Sequence, residues 1–302
     1  MLRGFFLYLS RQRRLERWLL ALPGARGLAK QFVAGETLAE AIAAVRELGR
    51  SGRQATLDHL GENVSTAEQA RASTEAYRKT LEEIARQKLD CSISVKLTQL
   101  GLDVSEDQCR ENLRLLVERA TELGNHVRVD MEGSAYTDRT LGLIADLRKT
   151  HDAVGAVIQA YLYRSEQDVR RLLEQKTTVR LCKGAYLEPA SLAYPHKADV
   201  DANFLRIMRM LLESRMDHCI ATHDPHMIEG TCRLAEELGV PKEVFEFQML
   251  YGIRRDLQQR IVEQGYRLRV YVPFGAEWFP YFMRRLAERP ANVLFVMKGM
   301  AR

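Results

Sequence analysis

The sequence predicts an α/β chain, a distorted (β/α)8 TIM-like barrel, and three observations carry that reading. Strand and helix patterns alternate eight times after residue 54, and eight is the count that closes a parallel sheet on itself. No Gly-rich GxGxxG follows the first strand pattern, which argues against an open dinucleotide-binding sheet. No linker rich in Pro, Gly or Ser divides the chain. With 302 residues, 46% of them hydrophobic, it can bury a large core as one domain. The expected organisation is a helical arm at residues 1–35, a barrel at 36–302, and a last helix over the barrel's C-terminal mouth.

The elements follow in order. Residues 37–49 read as a helix and Gln54–Leu60 as the first strand. Residues 66–88 form a long helix pattern, and Cys91–Leu97 is a cleanly alternating second strand. Ser105 and Gln108 have capping-box spacing and open a helix to about Leu123. His126–Glu132 is the third strand, followed by a helix at 137–149. Val154–Tyr161 is the fourth, and Ser165-x-x-Asp168 starts the helix through Glu174. The fifth, Thr177–Cys182, is β-branched at its start and runs into Lys183-Gly184-Ala185-Tyr186, where two small residues let backbone approach a ligand closely. Helices at 200–215, 225–238 and 253–263 alternate with strands at 218–223, 244–250 and 268–274, before a last helix at Trp278–Glu288.

The polar residues near the strand ends form a pattern. Asp58, Lys96, Asp130, Gln159, Arg180, Thr222, Gln248 and Tyr271 lie near the C-terminal ends of the eight strands in turn. On the second and third strands the apolar set Ile93, Val95, Leu97, Val127, Val129 and Met131 can pack on outer helices, leaving Lys96 and Asp130 at the mouth. Active sites of this architecture form at that mouth. Burying eight polar groups in a ring without a ligand would be costly.

Net charge is +5, but residues 1–30 alone carry +6 and the remainder −1. That basic segment also holds Phe5, Phe6, Leu9, Leu15, Trp18, Leu19 and Leu20, so it can lie on an anionic membrane surface or pack as a helix on its own domain. A basic excess confined to one end does not fit nucleic-acid binding. No apolar run reaches the length of a membrane span, and the opening apolar stretch lacks a small-residue cleavage pattern. Five cysteines without CxxC spacing point to a reducing, cytoplasmic setting and to no metal site.

The stretches Val179–Tyr186 (VRLCKGAY), Ala221–Asp224 (ATHD), Glu246–Gly252 (EFQMLYG), Val270–Gly275 (VYVPFG) and Arg284–Glu288 (RRLAE) resemble, in order and spacing, the motifs of proline dehydrogenase. The resemblance is to the short, single-function bacterial enzymes, and it covers roughly residues 35–300. It implies a distorted (β/α)8 barrel that binds FAD and oxidises L-proline to Δ1-pyrroline-5-carboxylate. Hydride would pass from proline C5 to flavin N5, electrons would go on to a membrane quinone, and a separate pyrroline-5-carboxylate dehydrogenase would take the product.

Carried onto this sequence, the resemblance implies that Lys96, Arg284 and Arg285 grip the proline carboxylate, which guanidinium groups do with paired bonds. Asp130 would orient Lys96 or the flavin, and Arg180 would favour the reduced, anionic flavin. Met131, Gln159, Lys183, Gly184, Ala185, Thr222 and His223 would contact the cofactor. Glu288 is grouped with them and, one turn after Arg284, can also hold an arginine. Tyr186 and Tyr271 would cover the pyrrolidine ring. The group that takes the amine proton stays open among Lys96, Asp130, water, or a proline that binds already neutral.

Other classes fit less well. A metal-dependent hydrolase on this barrel needs His-x-His on its first strand, where this chain has Leu57-Asp58-His59-Leu60. Its histidines read instead as a flavin contact, His223, and surface or capping residues. A pyridoxal-phosphate enzyme could use Lys96 or Lys183, but no Gly-rich phosphate loop follows strands seven or eight. A membrane-docking scaffold would account for the basic arm but not for the polar ring.

Overall fold

The computed structural model describes residues 31–61 and 64–288, with side chains through Met283. The arm at residues 1–30 and the side chains of Arg284, Arg285 and Glu288 lie outside the described residues. Eight parallel strands close into a barrel in sequence order: β1 Gln54–His59, β2 Cys91–Val95, β3 Val127–Val129, β4 Val154–Gln159, β5 Val179–Cys182, β6 His218–Ala221, β7 Phe245–Leu250 and β8 Arg267–Phe274. Closure runs through β8 and β1, with Gln54 opposite Arg269 and His59 opposite Phe274. The helices are α1 Leu38–Arg50, α2 Ala67–Arg86, α3 Glu106–Glu122, α4 Thr137–Arg148, α5 Ser165–Glu174, α6 Lys197–Glu213, α7 Pro225–Glu237, α8 Arg255–Glu263 and α9 Trp278–Glu288. The expected fold class is therefore the observed one.

Local signals start several helices. Thr37 and Glu40 close a reciprocal capping box on α1. Asp224 caps α7 ahead of Pro225, whose missing N–H costs nothing at a first helical position. One cap expectation is corrected. Ser105 accepts from the Gln108 amide at 3.3 Å, but Gln108 turns its side chain to the Ala67 carbonyl of α2, so the box is half formed. As expected, α5 starts at Ser165 and runs to Glu174; the buried Ser165 hydroxyl donates to the Leu162 carbonyl and accepts from Asn203.

Side-chain alternation then divides the sheet's two faces. Ile93, Val95, Val127, Val129, Val179, Leu181, Phe245, Phe247, Leu268 and Val270 join the large core between barrel and helices. The opposite face fills the lumen with polar groups, contrary to the branched apolar layers usual in this fold. Bonds cross that lumen from Arg180 on β5 to Ser94 on β2 and from Arg128 on β3 to Cys219 on β6. Strands β2, β3 and β6 are shorter than their alternation suggests. Lys96, Asp130, Thr222 and His223 therefore stand just past the ladder, where the chain turns into the mouth.

Helix α9 packs at that mouth. Trp278, Phe279, Tyr281, Phe282 and Met283 form a second apolar cluster with Phe32, Val33, Leu60 and Ile253, beside Leu250 at the end of β7. Residues 31–35 are stitched to the same end, with the Ala34 amide on the Pro273 carbonyl and the Gly275 amide on the Gly35 carbonyl.

Candidate active site

Arg180 is the centre of the lumen network and is buried. Its Nη1 donates to Asp130 Oδ1 at 2.7 Å and to Ser94 Oγ at 3.0 Å, while Nε donates to Gln248 Oε1 at 2.5 Å. Tyr271 donates its hydroxyl to the other Asp130 oxygen at 2.7 Å, and the Arg180 guanidinium lies 5.3 Å from its ring centre. Burial pushes the Asp130 carboxyl up, but the charges of Arg180 and Lys96 and the bonds from Ser94 and Tyr271 outweigh it, leaving the carboxyl below its ordinary value. Burial, then the Asp130 and Asp58 charges, push the Tyr271 phenol well above its ordinary value, so it stays a donor.

Lys96 stands on the other side of Asp130, at 3.7 Å. Its ammonium reaches both oxygens of Asp58, at 3.0 and 3.1 Å, and the Tyr271 hydroxyl at 3.4 Å. Asp58 is fully buried and touches the Tyr77 hydroxyl at 3.3 Å, itself on Gln99 at 3.1 Å. A buried ammonium needs such a counter-charge.

The β4–β6 side of the mouth holds a second polar set. Gln159 donates to the Glu132 carbonyl at 2.9 Å, and the Ala185 amide lies 3.4 Å from the Gln159 side-chain oxygen. Lys183 is clamped between Asp201 and Asp224, at 2.5 and 2.8 Å. Thr222 accepts from the Asp224 amide at 3.1 Å, and His223 Nε2 accepts from the Leu250 amide at 2.9 Å. Met131 is buried, and Tyr186 is exposed on the loop after β5. Gly184 has φ of +117°, and a Cβ there would meet the Tyr161 ring at 2.2 Å. Glu188 secures the same loop by accepting from the Ser134 amide at 2.7 Å.

Several residues of this site escaped the sequence reading. Ser94, Glu132, Glu246, Arg269, Asp201 and Tyr77 carried no role in it, and Asp58 and Gln248 were ring members without partners. Alternation on β2, β7 and β8 already put Ser94, Glu246 and Arg269 on the polar face. His126 is corrected as well: its Nε2 is buried without a hydrogen-bond partner, and burial and nearby arginines push its pKa well below the ordinary value.

The donor set suits FAD. A buried guanidinium, an ammonium, a hydroxyl and a side-chain amide on adjacent strand ends can meet an anionic, hydrogen-bonding group.

A closed parallel barrel with a charged, cross-bonded mouth is the framework of a (β/α)8 enzyme. A family model described as proline dehydrogenase matches residues 41–298, and the chain belongs to that family. It is 42% identical over 300 residues to proline dehydrogenase 1 of Bacillus subtilis subsp. natto, covering 99% of each chain. To the proline dehydrogenase of Deinococcus radiodurans it is 41% identical over 280 residues, 90% of each. A crystal structure of proline utilization A from Bdellovibrio bacteriovorus, inactivated by N-propargylglycine, superposes with a TM-score of 0.82 at 30% identity. That match covers 87% of this chain and 33% of the larger one.

Proposed function

We propose that this chain oxidises L-proline to Δ1-pyrroline-5-carboxylate, the first step of proline catabolism, with FAD as cofactor and a membrane quinone as electron acceptor. The observation that supports it best is the buried Arg180–Asp130–Tyr271–Lys96–Asp58 network at the barrel mouth of a chain in this family. Lys183, Thr222, His223, Gln159, Gly184, Ala185, Met131 and Glu288 would hold the cofactor. FAD, when bound, supplies the acceptor for hydride from proline C5.

The chain's own groups do the rest. Arg284 and Arg285 would meet the substrate carboxylate together with Lys96, whose counter-charge is Asp58. Asp130, held ionised by two cations and two hydroxyls, is a weak base and is suited to orienting Arg180 and Tyr271. Tyr186 and Tyr271 would cover the ring and exclude water.

The test is to reconstitute purified protein with FAD and follow the visible absorption band of the bound flavin together with proline turnover. Protein that stays colourless and inactive overturns the reading. Arg285→Met should weaken proline binding by about 2–5 kcal/mol, the range for a desolvated pair that loses one member. The loss should appear mainly in KM, with flavin content unchanged.

A further inference from the structure

We propose that Gln248, oriented by Glu246, is a positioning residue that holds the Arg180 guanidinium at the working angle. This rests on the reading that Arg180 acts on the cofactor. Both residues face the lumen from β7, two positions apart, and both are buried. Asp130 and Ser94 bond the same guanidinium nitrogen, Nη1, and contacts at one atom leave the planar group more rotational freedom than contacts on two edges would. Gln248 bonds Nε on another edge of the group and removes that freedom.

The direction of the Gln248 amide is set from below. Its nitrogen donates to Glu246 Oε1 at 2.5 Å, and an ionised carboxylate can accept but not donate. The amide nitrogen therefore faces Glu246, and its oxygen is left for Arg180. Glu246 cannot turn away. Arg269 Nε reaches both of its oxygens, at 2.8 and 3.1 Å, and Arg267 reaches one at 3.2 Å. Arg269 is tied in turn to the Ala55 carbonyl, and Arg267 to Asp217. A rigid path thus runs from the barrel floor to Arg180, through residues without a role in binding or chemistry.

The experiment is a double-mutant cycle on the FAD-loaded enzyme using Gln248→Met, which keeps length but removes donor and acceptor, and Arg180→Lys. Gln248→Met should lower kcat about tenfold, as for one hydrogen bond to a charged group. KM for proline should move less than kcat does, since the variant removes a bond to Arg180 and none to Lys96 or Tyr271. The potential of the bound flavin should fall by about 30 mV, the same tenfold converted for a two-electron couple. Adding Gln248→Met to Arg180→Lys should change neither quantity further, because the contact is already gone. Should Gln248→Met not fold, Glu246→Gln serves in its place: it frees the amide to turn, and kcat should again fall with KM held.

Wild-type kcat and potential in the Gln248 or Glu246 variant, beside losses in Arg180→Lys, overturn the proposal. So does an undiminished Gln248→Met effect in the Arg180→Lys background. Arg180→Lys without effect on either quantity refutes instead the cofactor role of Arg180, a separately readable failure.

Discussion

Replacing Gly184 by Ala should disturb the mouth strongly. The backbone at Gly184 has φ of +117°, a region that side-chain-bearing residues rarely occupy, and holding one there costs roughly 1–3 kcal/mol. The added Cβ would lie 2.2, 2.4 and 2.6 Å from three carbons of the Tyr161 ring. That ring is buried in a small cluster with Leu162 and Ala193, so it has little room to retreat. Overpacking of this kind costs roughly 1–3 kcal/mol more. Together they predict a loss of about 4 kcal/mol in urea unfolding, or a fall in Tm of about 8 °C at roughly 2 °C per kcal/mol for a chain of this size. Because Lys183 adjoins Gly184 and is clamped by Asp201 and Asp224, flavin retention should fall as well. Gly239→Ala is the control. Its φ is +59° and nothing lies within 4 Å of the added methyl, so about 1 kcal/mol and no change in flavin content are expected. A Gly184→Ala enzyme within about 1 kcal/mol of wild type, with full flavin content, would show that this loop yields and that the reasoning fails.

Two further outcomes are expected. His218 accepts the Val179 amide at Nδ1, 2.9 Å away, and burial followed by the Arg128 charge lowers its pKa to about 3. The unfolded chain therefore takes up this proton first as pH falls below about 6.5, and stability should drop by about 1.4 kcal/mol per pH unit down to about pH 3. His218→Asn keeps an acceptor for Val179 and should flatten the slope of denaturation free energy between pH 6.5 and 5 by one proton's worth; an identical slope refutes the assignment. Deleting residues 1–30 should preserve turnover with a soluble dye and reduce binding to anionic vesicles, and salt should weaken vesicle binding of the full-length protein. Equal vesicle binding by both proteins would end the idea of a membrane-facing arm.

What the amino-acid order determined by itself is what local periodicity can encode. Alternation on β2, β5 and β7 separates apolar from polar faces before any partner is known, and eight such units leave few ways to close a core. The polar ring was legible for that reason, and the motifs between Val179 and Glu288 were enough to point to a family. Partnership was not legible, because it depends on closure. Lys96 meets Asp58 across 38 positions, Arg180 meets Gln248 across 68 and Ser94 across 86, and Tyr271 meets Asp130 across 141. Gly184 illustrates the same limit: the chain's order puts a small residue there, and only the fold brings the Tyr161 ring against it. A residue's type and face are written in its neighbourhood along the chain. Which charge it must balance is set when distant strand ends converge in a buried lumen, where an unpaired charge is costly.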